Sequence, residues 1–598
     1  MRRLAVLLAA TVLVGASPAA ADAVMPTAPV YDAVGHLVES PFAPSAEPAR
    51  LTEARVVRAF LAVPKVAGWL DRYAPDPRTD ATFARRDRTW TVHVWSGEAG
   101  EIATGKVADA DGRVLDAWTG PQVAWKMARG RPGAFGGKLI TSWPVWLALS
   151  AIFLLGLADL RRPLSLRTLD LLVLLSFGVS LAFFNRGDVF QGAALAVLPL
   201  AYLLARTAWI GFRATPRAGP AATWPIWALA VVTVFLVGFR MGLDVDQKRT
   251  VIDVGYAGVI GADRILDGRI PYGTMPVTDD RAPCGAADTD GQVRDRIQSN
   301  GRCESANPRG DTYGPVAYLA YVPAVLAFGW TGTWDELPAA HATAIAFDLL
   351  ALAGLAVVGA RLGGARLAAT LAFGWAAFPF TAYALLSNTN DAIMPALLVW
   401  GFLLASSPVA RGTATALAAW TKFATLIVVP LWLTYPTGIR LRQAVRFTAA
   451  FLLATVLALA ILLLDPSLGD ALRTFWDRTL AFQLDRESPF SLWGWGQYHA
   501  RGIPDLASLQ VVVQVCAIVL AGVVAVLPRT KGPLELAALT AALLLAFELS
   551  LTHWSYLYLP WVVPFVLLAL FLPRSGPPAE PEAPERTEAA PPEMAGVS

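Results

Sequence analysis

The chain has 598 residues, 55% hydrophobic and 16% charged, against about 25% charged in an average soluble domain. Its mean hydropathy is +0.49, and the apolar residues come in repeated runs of about 20, the length that spans a hydrocarbon layer, so composition excludes a soluble or disordered chain and implies a membrane protein. A net charge of +3 implies no nucleic-acid partner, and three cysteines with five scattered histidines offer neither a zinc site nor a disulfide scaffold, so no metal ligands are assigned.

Residues 1–21 read as a secretory signal: Arg2 and Arg3 precede an apolar stretch from Leu4 to Val14, and Ala19 to Ala21 supply the small residues of a cleavage site. An uncleaved first anchor would alter the span count and leave residue 30 on the same side. Residues 25–137 then form an exported α+β domain, with a Pro-rich entry and an exit through Gly130, Gly133, Gly136 and Gly137. The spacing of Val56, Val57, Phe60 and Leu61 predicts a helix over 52–73, interrupted at Pro64. Alternation at Trp90, Val92 and Val94, then around 105–107 and 114–118, predicts strands, with the turn Asp109-Ala110-Asp111-Gly112 closing a hairpin. The run from Trp90 to Trp95, followed by Lys106 to Leu115, resembles a PepSY-type domain, which implies binding or regulation and carries no catalytic residues. His93 alternates with strand apolars and reads as a surface histidine.

Hydropathy places about 11 spans, near 141–159, 168–184, 189–209, 223–241, 338–359, 367–386, 391–406, 443–464, 506–527, 534–551 and 554–572. Basic loops orient them: Arg161, Arg162 and Arg167, then Arg206, Arg213 and Arg217, then Arg361 with Arg366, Arg411, Arg440 with Arg442 and Arg446, Arg529 with Lys531, and Arg574 all belong on the cytoplasmic side. This holds only if 314–330 lies at the outer interface and 412–434 dips in and returns as a hairpin. Both stretches carry the Gly and Pro that such segments use, and backbone of this kind is tolerated only where it lines a cavity. The tail 574–598, rich in Pro and Glu, reads as a disordered cytoplasmic end.

The polar chemistry gathers in the outer loops 242–313 and 465–504. Asp253, Tyr256, Ile260 and Arg264 fall at helical spacing, which predicts a short interfacial helix presenting a carboxylate and a phenol on one face, closed by Gly268-Arg269-Ile270-Pro271-Tyr272-Gly273. Further along come Thr312-Tyr313-Gly314-Pro315, Ser387-Asn388-Thr389-Asn390-Asp391, Ala418-Ala419-Trp420-Thr421-Lys422-Phe423 and Thr552-His553-Trp554 running on to Pro560-Trp561. In order and sidedness these motifs resemble the GT-C superfamily of polyprenyl-phosphate-dependent glycosyltransferases, and more narrowly the family 87 group that includes the phosphatidylinositol-mannoside mannosyltransferases. The likeness covers 223–573. The signal, the exported domain and three additional spans at 141–209 depart from the family, as does a hairpin proline that comes late, at Pro430.

The resemblance implies an α-helical polytopic membrane protein of GT-C type, about 11 spans plus re-entrant and interfacial helices, with a small α+β extracytoplasmic N-terminal domain. It implies residence in the plasma (inner) membrane and transfer of mannose or another hexose or pentose, with inversion. The donor would be a polyprenyl-phosphate-linked sugar and the acceptor a lipid or cell-envelope glycan. No cofactor is certain, and a divalent cation stays open. Asp253 is the expected general base, with a helix-surface or capping carboxylate as its alternative reading; Asp244 and Asp246 are rivals expected to pair with Lys248 and Arg249. Lys422, in the middle of the dipping segment, is expected to meet the donor phosphate because an unpaired ammonium there costs several kcal/mol, so that its replacement by Met leaves the fold stable or more stable; snorkelling is the alternative. Arg486 is the second cation candidate or a solvated loop charge. His553 binds donor or is an interface histidine. Asp391 positions the sugar or a divalent ion, or caps its helix. Tyr256, Tyr272 and Tyr313 join the substrate-binding set. Cys284 and Cys303, in one outer loop of an oxidising compartment, are expected to form a disulfide worth roughly 3 kcal/mol, while Cys516 reads as a small apolar residue in a span. A transporter or flippase, or a sensor built on the exported domain, are the other function classes, although no repeated half with matching broken segments is visible.

Overall fold

The computed structural model describes residues 48–85, 87–130, 139–213, 224–246, 251–277, 282–285, 295–298, 301–334 and 337–573. The signal 1–21, the tail 574–598, and Lys248 with Arg249 lie outside the described residues. The chain divides into two units. One combines the residues up to Leu61 with Asp80–Val92 and Gly105–Asp116; the other combines Ala62–Thr79, His93–Thr104 and everything from Ala117 on. The stretch 25–137 is thus shared between two units.

The helix expected over 52–73 is two helices, α1 (Glu53–Leu61) and α2 (Pro64–Leu70). Pro64 has no N–H for an internal helical bond but fits the first turn of a new helix, so the chain restarts there. Four strands follow, β1 (Arg78–Ala84), β2 (Thr89–Trp95), β3 (Glu101–Ala108) and β4 (Val114–Thr119), in sheet order β1-β2-β3-β4. β2 buries Trp90, Val92 and Val94 and turns the residues between them outward. His93 faces partly outward, with Nδ1 2.5 Å from Glu101 Oε1. β1 escaped the reading because Arg-Thr-Asp-Ala-Thr-Phe-Ala has no fully buried side and hence no alternation.

In the first unit the turn residue Asp109 does more than close a hairpin. Its buried carboxylate accepts the backbone N–H groups of Arg50 and Leu51 at 2.9 and 3.1 Å and the Trp90 indole N–H at 3.0 Å, and pairs with Arg88 at 2.6 Å. Burial pushes its pKa up, but the hydrogen bonds and the Arg88 charge outweigh that and lower it to about 2. A depressed folded-state pKa contributes stability that is fully present above the unfolded value near 4 and disappears as pH falls through about 2. The hydrogen-exchange protection factors of β2 are therefore expected to fall between pH 4 and 2. Asp109→Asn should exchange faster at pH 7 and show no such step.

In the second unit, seven helices are long and apolar enough to cross a membrane among the described residues: Leu166–Asn185, Val189–Phe212, Ile226–Asp246, Pro338–Ala377, Leu441–Leu464, Ala507–Val526 and Pro533–Ser550. Val231, Val234 and Phe235, Leu452, Leu453 and Val456, and Val511, Val512 and Ile518 leave apolar faces exposed. Water would not tolerate such surface, and lipid requires it; the chain is a membrane protein. Cys516 is exposed on one such face. Pro533–Ser550 is the opposite case, 78% buried in its apolar window where Ala507–Val526 is 17% buried, so it forms the middle of the bundle.

The expected spans at 141–159, 391–406 and 554–572 hold shorter apolar helices, Trp143–Leu157, Ile393–Leu403 and Leu559–Phe571. Pro338–Ala377 breaks at Gly363 and Gly364, where φ reaches +72°, and a Cβ on Gly359 would lie 2.6 Å from the Ala368 Cα, so its two arms fold against each other. The helix then ends at Phe378, ahead of Pro379, which starts another at Pro379–Leu386. The stretch 314–330 comprises two short helices, Pro315–Leu319 and Val322–Phe328. The dipping segment is Pro408–Ala419, a turn at Trp420–Lys422, and a return through Phe423–Val428 and Val429–Thr434. Arg411, fully buried, ties its two ends together by donating to the carbonyls of Trp432 and Tyr435, both at 2.9 Å.

Candidate functional site

The tip of that hairpin is where the site begins. Lys422 leaves the turn and pairs with Asp391 at 3.0 Å, lying 4.7 Å from the centre of the Tyr313 ring and 5.4 Å from that of Trp561. Asp391 also accepts the Trp561 indole N–H at 2.9 Å. It is therefore no helix cap; Thr389 fills that role, its hydroxyl accepting the Asp391 N–H. The counter-charge that the sequence left missing for Lys422 is supplied by Asp391.

Asp253 starts the helix Asp253–Leu266. Its neighbour Ile252 donates its N–H to the Ser387 carbonyl at 3.2 Å, and a Cβ on Gly255 would lie 2.2 Å from the Asn388 carbonyl oxygen. Only a glycine lets this helix end sit so close to the turn of polar residues leading to Asp391. Asp253 is accessible from a cavity yet set deep within the protein. Burial raises its carboxyl above the ordinary carboxylate range, against the pull of the Val254 N–H and the charges of Arg486 and Lys422.

The cavity measures about 100 Å³ and brings together Asp253, Tyr313, Asp391, Lys422, Arg486 and His553, six residues scattered over 300 positions of sequence. Its other walls include Trp125, Phe184 and Phe490. His553 Nδ1 lies 2.9 Å from the Ser488 hydroxyl, and burial together with the Arg486 and Lys422 charges holds its imidazole well below the usual value, hence neutral. Arg486 comes from the loop before the 3₁₀ turn Leu492–Tyr498 and forms no ion pair within 4 Å among the described residues. No family model, curated protein or solved structure matches this chain. Among the described residues there is also no group of three or more His, Cys, Asp or Glu side chains that could hold a metal ion.

Two expected site residues lie outside the lining. Tyr256 is fully buried, donates to the Ser305 carbonyl at 2.9 Å and stacks on Trp334 at 4.7 Å. Three residues along a helix is 60° short of a full turn, enough to rotate its phenol off the carboxylate's side. Tyr272 stands one layer back and donates to the Tyr313 carbonyl at 3.1 Å. The rival Asp244 is buried against His341 Nδ1 at 2.9 Å and the Asn388 amide at 2.8 Å. Cys284 and Cys303 form a disulfide with Cα atoms 5.9 Å apart, which ties Cys284 to the strand Cys303–Ser305 that pairs antiparallel with Asp295–Ile297.

Sequence reading missed Trp561 and Tyr558, which face Lys422, and Glu548, buried with one oxygen on the Trp554 indole N–H at 3.0 Å and the other without a partner. The aromatic run after His553 was the available signal; for Glu548 it was a carboxylate inside an apolar run.

Gly314 joins Tyr313 to the hairpin. Val316 donates its N–H to the Trp420 carbonyl at 3.1 Å, and a Cβ on Gly314 would stand 2.1 Å from that same oxygen. Gly314→Ala is expected to cost about 1–3 kcal/mol, as overpacking does, read as lower thermal stability in detergent. Gly238→Ala, with nothing within 4 Å, should be neutral or slightly stabilising because alanine favours a helix.

Proposed function

We propose that the chain is a membrane glycosyltransferase of the GT-C type, moving a sugar from a polyprenyl-phosphate donor to a lipid or glycan acceptor on the extracytoplasmic side, with inversion. The observation that carries this reading is the convergence of one carboxylate of raised pKa, Asp253, with two cations, Lys422 and Arg486, and a neutral histidine in one cavity.

A sugar phosphoester needs little more. Asp253 takes the proton of the acceptor hydroxyl; the oxygen attacks the anomeric carbon; the bond from that carbon to the phosphate oxygen breaks, and the polyprenyl phosphate leaves with its charge held by cations. Arg486, without an ion pair among the described residues, is the first partner of the phosphate, and Lys422 offers a further N–H while keeping Asp391. Neutral His553 accepts or donates a hydrogen bond to sugar hydroxyls. A raised carboxyl pKa brings the base nearer to working pH. At about 100 Å³ the cavity has room for roughly three waters, so a sugar needs a wider cavity than this one. Trp125 and Phe184, from the parts that depart from the family, supply apolar wall.

The test is transfer of a labelled sugar from a polyprenyl-phosphate donor by the purified protein; no transfer from mannosyl, glucosyl, galactosyl or arabinosyl donors defeats the reading. Sidedness has its own check. A cysteine at Gln483 is expected to label from outside, and cysteines at Arg213, Arg440 or Arg529 only from the cytoplasm. Labelling of position 483 from the cytoplasm alone would remove the site from the proposed side.

A further inference from the structure

The second unit also carries an open groove apart from the cavity. A cleft of about 520 Å³ runs past Arg72, Glu98, His499 and Arg501. A second cleft, of about 410 Å³, runs past Asp76, Arg78 and Trp95 and shares Ala74, Ser96 and Gly97 with the first. Each is of the size that takes a small ligand, and together they form one elongated groove.

Its walls are fixed. Arg501 donates its backbone N–H to the Arg72 carbonyl at 2.9 Å and its guanidinium to the Asp71 carbonyl at 2.7 Å, while the Arg72 guanidinium returns a bond to the Arg501 carbonyl at 3.3 Å. The Tyr73 hydroxyl donates to the Tyr498 carbonyl at 2.9 Å. Of the four non-glycine residues with positive φ among the described residues, two line this groove, Asp76 at 61° and His499 at 46°. Backbone of that kind persists where surrounding structure imposes it and gathers at ligand clamps.

The groove's chemistry selects a class of ligand. Three guanidiniums and an imidazole face two carboxylates, so a polyanion would meet Asp76 and Glu98, and a polycation would meet the arginines. A neutral oligosaccharide suits both, since each hydroxyl donates and accepts, and its C–H faces lie well on an indole such as Trp95. We infer that this groove binds a neutral oligosaccharide and holds the glycan acceptor of the transfer. As an acceptor site it rests on the proposed transferase function; as an oligosaccharide site it stands on the groove alone. One stretch of chain connects it to the cavity: Arg486 and Phe490 line the cavity, and the same loop continues through the turn Leu492–Tyr498 to His499 and Arg501.

The experiment uses the full chain in nanodiscs and fluorescent neutral tetrasaccharides of mannose, glucose, galactose and arabinose, with a sulfated tetrasaccharide as control, read by anisotropy. Saturable binding of at least one neutral probe is expected, weakened about tenfold by Glu98→Gln and by Arg78→Ala, the loss of one charge-assisted hydrogen bond each, and unchanged by Asp253→Asn. Both substituted groups are exposed, so folding is preserved. Binding of none of the neutral probes, binding indifferent to both substitutions, or binding of the sulfated probe alone overturns the inference. Oligosaccharide binding without any sugar transfer would sink the transferase reading and leave the groove standing, and transfer without oligosaccharide binding would do the reverse.

Discussion

Asp253→Asn is expected to yield a folded, membrane-inserted protein whose transfer rate is lower by at least about a hundredfold, the usual consequence of removing a general base. The amide keeps the size of the side chain and can still receive the Val254 N–H that the carboxylate accepts, so the helix start and its docking on Ser387 should survive. In the wild type, the acid limb of the pH–rate profile should lie above the ordinary carboxylate range, because burial raises the Asp253 pKa. Near wild-type turnover in the variant would take the base away from Asp253. Asp244 is a poor heir, since His341 and Asn388 already occupy it.

The cations should separate from each other. Arg486→Met removes a charge that no ion pair among the described residues holds, so the fold should persist while the donor KM rises at least about tenfold, as for losing one charged hydrogen bond. Losing a positive charge near Asp253 also raises its pKa, so the acid limb should move to higher pH. Lys422→Met should behave differently from the expectation of a stable fold. Asp391 is 2% exposed and would lose the one ion pair it has among the described residues, and breaking a buried pair by removing one partner costs about 3–5 kcal/mol. Lys422→Met with Asp391→Asn should recover stability, since the amide needs no counter-charge and can still accept from Trp561, while the donor KM stays raised. A double variant with wild-type KM would make Lys422 a structural residue, and a single variant of unchanged stability would show that the pair contributes nothing to the fold.

The sequence was sufficient for whatever depends on local pattern. Apolar runs announced the spanning helices, and alternation at Trp90, Val92 and Val94 announced β2. Glycine and proline at 314–315 and 430 marked segments that could not be plain spans. Six residues chosen for their chemistry line one cavity, because charged and polar side chains in apolar surroundings are few and must meet each other or water. Tertiary structure decided what those residues do to one another. That Lys422 is paired with Asp391 while Arg486 has no ion pair among the described residues depends on contacts between segments 31 or more positions apart, and no periodicity encodes such distances. Tyr256 left the site because a helix fixes the angle between neighbouring side chains, and the angle at three residues points its phenol at Ser305. The helix limits at 363–364 and 378 followed from backbone geometry at Gly364 and Pro379, where chain reversal overrides an unbroken apolar run. The groove at Asp76 and His499 was invisible for the same reason: it is assembled from surface loops whose polar residues carry no local signal, and only their convergence in space makes a site.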